Sequence, residues 1–128
     1  MNDKKTHKIN LGLTIELSNE DINDLMACAL EGGINYWCGQ VRVKDIPKEF
    51  EGKYEYASEV IALGGVLELH DAESDDKWEL TLEKFFHGVK LTCEDVGFIS
   101  GQDLMENHDA DTADAIIQLA LFNEIVFG

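Results

Sequence analysis

The sequence predicts an α+β fold: a small antiparallel sheet with about four helices packed on one face. Three observations predict it. Apolar residues alternate one-sidedly in several short segments, the mark of antiparallel strands with one solvated face. Other segments carry apolar residues at three- and four-residue spacing, the period of an amphipathic helix. The two kinds follow each other irregularly, without the regular alternation of a parallel α/β sheet. At 128 residues and 45% hydrophobic, the chain fits one domain that can bury a core without disulfides or metal. The expected organisation is a flexible polar leader over residues 1–8 and a single globular domain over 9–128.

Along 9–17, Ile9, Leu11, Leu13, Ile15 and Leu17 fall on one face and Asn10, Gly12, Thr14 and Glu16 on the other, which predicts one half-buried strand. Ser18 reads as a helix N-cap, with Glu20 and Asp21 in the first turn where carboxylates suit the dipole. Ile22, Leu25, Met26, Ala29 and Leu30 then keep helical spacing. Gly32 and Gly33 are expected to stop that helix through a left-handed C-terminal residue. Tyr36, Trp37, Cys38, Val41 and Val43 suggest a second strand. Residues 45–53, which hold the only proline, Pro47, read as a loop. A short helix is expected over 54–63, with Ala57, Val60 and Ile61 inward, ending at Gly64 and Gly65.

Residues 66–70 and 77–82 read as a hairpin, with Leu67 and Leu69 on one face and Trp78, Leu80 and Leu82 toward the core. Thr81 alternatively caps a helix carrying Leu82, Phe85, Phe86 and Val89 at i, i+3, i+4, i+7 spacing. Residues 92–110 show no clear period and read as a long surface excursion. Asp111 or Thr112 opens a last helix through Phe122, with Ala113, Ile116, Ile117, Ala120 and Leu121 on one face. Ile125, Val126 and Phe127 are expected to form a short strand.

Charge narrows the function classes. The 26 Asp and Glu against 10 Lys and Arg give a net charge of −16. Without the leader, which carries Lys4, Lys5 and Lys8 against Asp3, the body nets −18 from 7 basic and 25 acidic residues. Such a surface repels nucleic acid phosphates and anionic membranes. It suits basic protein surfaces or cations. Cys28, Cys38 and Cys93 form an odd set without CxxC spacing. With no signal-peptide pattern and no apolar run near the ~20 residues that span a bilayer, reduced thiols in a cytoplasm are expected.

Two acidic clusters stand out. Glu68, Asp71, Glu73, Asp75 and Asp76 surround the expected hairpin turn. Read as a calcium loop from Asp71, the sixth and twelfth places hold Asp76 and Leu82, where an EF-hand needs Gly and Glu. The second cluster is Asp103, Glu106, His108, Asp109, Asp111 and Asp114. It has metal-binding residue types without a metal-binding spacing, and helix N-termini favour Asp111 and Asp114 for their own sake. After Lys90 the chain carries eight acidic residues and no Lys or Arg. Such a base-free stretch can act as a solubility device or steer a basic partner over a Debye length of about 8–10 Å.

Catalytic sets are not apparent. Cys28 and Cys38 read as packing residues, and His70 and His87 pair with no nucleophile in a recognisable motif. The two Gly-Gly pairs do not open helices after strands, as a phosphate loop would. Tyr36 and Trp37 could anchor a partner, although aromatics in this setting more often belong to the core. No enzymatic activity and no cofactor are expected.

The string from Ala29 to Cys38 (ALEGGINYWC), the string from Asp71 to Thr81 (DAESDDKWELT) and the C-terminal IIQLALFNEIVFG together resemble small acidic hypothetical proteins of bacteriophages and integrated mobile elements. The resemblance runs from about Leu17 onward. It implies a setting rather than a mechanism: mobile elements often encode small acidic proteins that block host defence, and with the charge of this chain the setting leads to the expectation of an anti-CRISPR or DNA-mimic inhibitor, acting in the cytoplasm of a bacterial host on a Cas nuclease or restriction enzyme. Carboxylates would take the places of phosphates against Lys and Arg, through Asp71, Glu73, Asp75 and Asp76 in one loop and Asp103, Glu106 and Asp109 in the other. Contact with nucleic acid or membrane is not expected. Two other readings are a metal- or small-ligand-binding domain, in which a nucleotide signal would need Arg42, Lys44, Lys84 or Lys90 to converge, and a non-enzymatic phage assembly subunit.

Overall fold

A computed structural model describes residues 6–10, 12 and 14–128. The alternation over 9–17 is a hairpin rather than one strand. Strands β1 (Thr6–Asn10) and β2 (Thr14–Ser18) pair antiparallel, His7 opposite Leu17 and Ile9 opposite Ile15. The chain reverses around Gly12, whose φ of +78° is open to glycine. Ile9, Ile15 and Leu17 are buried as expected; Leu11 and Leu13 lie outside the described residues. Thr6, His7 and Lys8 are therefore strand rather than leader. The His7 ring packs on Phe86 and meets Asn19 at 2.6 Å. Residues 1–5 of the expected leader also lie outside the description.

Helix α1 (Asn19–Cys28) starts where Ser18 predicts. The Ser18 hydroxyl accepts from the Asp21 N–H, and the Asp21 carboxylate accepts from the Ser18 N–H, each at 3.0 Å, a reciprocal capping box. Ile22, Leu25, Met26 and Ala29 are buried. The helix end departs from expectation. It widens into a π-helical turn over Ala29–Gly33, and Gly33 is not left-handed. Glycine is needed there for room: a Cβ would stand 2.8 Å from the Ala110 carbonyl oxygen.

Strands β3 (Cys38–Asp45), β4 (Val66–Asp71) and β5 (Lys77–Leu80) form the second sheet in the order β3-β4-β5, all antiparallel. Leu67 faces Leu80, and Leu69 faces Trp78. Leu67, Leu69 and Leu80 are fully buried, so the hairpin has the expected inward face. The one expected sheet is thus two small ones. The link 46–65 holds no α-helix, only 3-10 turns at Lys48–Phe50 and Ala57–Glu59. The Glu59 carboxylate accepts from the Glu55 and Tyr56 N–H groups and ties the second turn locally. Val60 and Ile61 are nonetheless buried, as their apolar character requires.

Thr81 does cap a helix, α2 (Leu82–Val96), so Leu82 belongs to the helix and not to β5. The expected excursion over 92–110 is mostly helical. α2 runs to Val96, and α3 (Gly101–Asn107) follows, capped by Ser100. Helix α4 (Ala110–Phe122) is capped by Asp109, two residues before the expected start. Gly88 lets α2 and α4 touch: a Cβ there would lie 2.1 Å from the Ile116 carbonyl oxygen. No strand forms at 125–127. Phe127 instead joins an aromatic cluster with Trp37, Trp78 and Phe122, stacked on Trp37 with ring centroids 4.9 Å apart. Among the described residues, no helix is long and apolar enough to cross a membrane.

Candidate functional site

The β4–β5 connection carries the first acidic cluster, and its own hydrogen bonds shape it. The Asp71 N–H donates to the Asp76 carbonyl at 2.9 Å, and the Ala72 N–H anchors the turn to the Trp37 carbonyl at 2.8 Å. One Asp71 carboxylate oxygen accepts from the Glu73 N–H and the other from the Ser74 hydroxyl, both at 2.9 Å. The Ser74 oxygen accepts from the Asp76 N–H at 3.1 Å. This is an Asx turn, in which a short side chain imitates backbone. Asp71 is therefore committed to the turn. Glu73, Asp75 and Asp76 are exposed, and no hydrogen bond or ion pair among the described residues engages their carboxylates. A shallow polar depression lies beside the turn, edged by Gly39, Gln40, His70 and Lys77.

The second cluster is placed differently. The Asp103 carboxylate accepts from the Ile99 N–H at 3.1 Å and from the Asn107 side-chain amide at 2.9 Å. Glu106 accepts from the Gln102 amide at 2.9 Å, one helical turn away. Asp109 caps α4, accepting from the Thr112 N–H at 2.9 Å and from its hydroxyl at 3.0 Å. The hydrogen bond from the Thr112 backbone, then that from its side chain, holds the Asp109 carboxyl below its ordinary value. His108 turns its Nδ1 to the Met105 carbonyl at 2.9 Å. Among the described residues, no three His, Cys, Asp or Glu side chains gather as an ion-holding group. No hydrogen bond or ion pair among them joins this cluster to the turn at 71–76.

Asp114 overturns its expected reading. Asp111 sits in the first turn of α4, where the dipole accounts for it. Asp114 instead accepts from the Tyr36 hydroxyl at 2.5 Å, the Trp37 indole N–H at 2.8 Å and the Gln118 amide at 2.9 Å. Its partners Tyr36 and Trp37 divide the expected roles of their segment: Trp37 is core, while Tyr36 is 56% exposed. Burial of the Tyr36 hydroxyl and its bond to Asp114 push its pKa up to about 12. Gln118, fully buried, also accepts from the Val126 and Phe127 N–H groups at 2.8 Å. No sequence signal marked Gln118, which lies on the helical face that its apolar neighbours define.

Burial pushes the thiols of Cys28, Cys38 and Cys93 up, the last to about 11, which keeps them protonated and weakly nucleophilic at neutral pH. His70 pairs with Glu68 at 2.8 Å on the outer face of the sheet, and the His87 ring meets the Asn123 side chain at 2.6 Å. Two of the cations that nucleotide binding would require do meet, but on a carboxylate residue. Lys44 pairs with Glu79, and Lys84 donates to the Glu79 carbonyl at 2.8 Å. The hydrogen bond between Lys44 and Glu79 raises the lysine pKa and lowers the glutamate's. Arg42 stands opposite Glu68 in the ladder. The chain matches no family model, no curated protein and no solved structure.

Proposed function

We propose that the protein is a non-catalytic, stoichiometric inhibitor that covers the basic nucleic-acid-binding surface of a defence nuclease, an anti-CRISPR or DNA-mimic role of the kind that phage-type proteins fill. The observation that carries the reading is the turn at 71–76. It uses Asp71 and Ser74 to fix its shape and leaves the Glu73, Asp75 and Asp76 carboxylates in solvent without a cation. Three carboxylates on a short, internally bonded loop offer phosphate-like charge at little ordering cost on binding. The base-free stretch after Lys90 extends the negative field that would steer such an encounter. Asp103, Glu106 and Asp109 contribute to that field, with weaker claims to direct contact because each already has a partner within the chain.

The test is a competition assay. The purified protein is titrated into a guide-loaded Cas nuclease, and separately into a restriction enzyme, each bound to labelled DNA. The expected result is displacement at a one-to-one ratio, with affinity falling about tenfold or more between 50 and 200 mM salt, as charge-driven association does. Reversal of Glu73, Asp75 and Asp76 to Lys weakens it further. Displacement that is indifferent to salt and to that reversal removes charge mimicry as the mechanism.

A further inference from the structure

Helices α2 and α4 touch through Gly88, where the backbones leave no room for a side chain. Alongside that contact they leave an open groove of about 450 Å³, within the range of sites that take ligand-sized groups. Leu91 and Val96 from α2, Ala115 and Leu119 from α4, and Ile125 form its walls. Val96 and Ile125 are more than half exposed, and they meet at one groove rather than standing singly on the surface. Asp95 and Asp111 stand at the groove, one on each helix, and no basic residue lines it. Thr92, buried in its wall, keeps a hydroxyl with no hydrogen-bond partner, a condition that native folds seldom leave without a reason.

We infer that this groove is a docking site for a basic amphipathic helix of a partner protein. Charge complementarity chooses the occupant. A purely apolar helix would leave Asp95 and Asp111 without counter-charge and partly desolvated, and an acidic one would meet both carboxylates and the uncompensated charge of residues 91–128. A helix with apolar anchors one turn apart and Lys or Arg flanking them satisfies walls and carboxylates together. The length agrees. The α4 wall from Asp111 to Leu119 spans eight residue steps, about 12 Å of helix, which accommodates anchors at i, i+3 or i+4, and i+7. The identity of the occupant as a protein rests on the partner-binding reading above; the groove does not.

The test uses three synthetic peptides of roughly 14 residues: a Leu/Lys amphipathic helix, a scrambled isomer without a helical face, and an oligolysine. Binding is followed by fluorescence anisotropy and by amide shift mapping on the labelled full chain. The amphipathic peptide is expected to bind at least tenfold tighter than its isomer, with amide shifts centred on 91–96 and 111–125. Ala115→Trp, which fills the groove without changing charge, should abolish that difference. The Asp95→Asn, Asp111→Asn double variant should weaken binding severalfold. Ile125→Ser, at an exposed position, serves as a second groove variant if A115W misfolds. Equal binding of all three peptides, or full binding to both groove variants, overturns the docking site and leaves charge-driven partner binding standing. Failure of every peptide, oligolysine included, at low salt overturns both readings.

Discussion

The turn at 71–76 and the cluster at 103–114 are both rich in acid, yet they employ most of it in opposite ways. In the turn, one carboxylate shapes the backbone and three face water. In the later stretch, Asp103 and Asp109 serve helix starts, and Asp114 serves two aromatic residues from a distant segment. A count of acidic residues therefore overstates the charge available to a partner. The side chains open to a partner are those the fold has not already used.

That contrast can be broken by substitution. Asp114→Ala carries the largest expected effect, because it leaves the buried Trp37 N–H and the Gln118 amide without their carboxylate; a loss of about 2–3 kcal/mol in urea unfolding is expected. Asp109→Ala should cost less, through the lost cap. Its dependence on pH has a definite sign. Asp109 has a folded-state pKa below its ordinary value of 3.8, so its contribution is present above that value and fades as pH falls through the lower folded one. The stability gap between wild type and Asp109→Ala should thus narrow in acid, below about pH 4, to what a neutral cap retains; a gap that does not change with pH would show that the charge of Asp109 adds nothing to the cap. Replacing Glu73, Asp75 and Asp76 together by Ala should change stability by no more than about 0.5 kcal/mol. A larger loss would mean that the turn, too, uses its acids internally.

A spectroscopic prediction sharpens the Asp114 side. In a difference titration of phenol absorbance, wild type minus Tyr36→Phe, the Tyr36 ionisation should appear near 12. Because this folded value lies above the ordinary 10.0, the associated stability is intact below pH 10 and falls as pH rises toward 12. A midpoint near 10 would show that Asp114 does not hold the hydroxyl.

The sequence was most legible where structure is local. The Ser18 cap, the 66–80 hairpin and the apolar stripe of α4 depend on residues within a few positions of each other. The β1–β2 hairpin was hidden because its strands keep the same apolar alternation on both sides of the turn, with Ile9 opposite Ile15. Helix α3 was hidden because seven residues are too few to display a period. At the candidate site, the residue types were visible but their employment was not. Tyr36 and Asp114 are 78 positions apart, and no local pattern announces a bond across that distance. The same holds for the groove, whose two walls are meaningful only once α2 and α4 are packed.

The cluster around Phe127 has a consequence for optical measurement. Trp37 and Trp78 are the only two tryptophans in the chain, and their ring centroids lie 5.8 Å apart, both against Phe122 and Phe127. Intrinsic emission is therefore a single-site reporter rather than a global one. It will register any shift of the segment that Gln118 holds at Val126 and Phe127, and it will stay nearly silent if the β1–β2 hairpin opens alone.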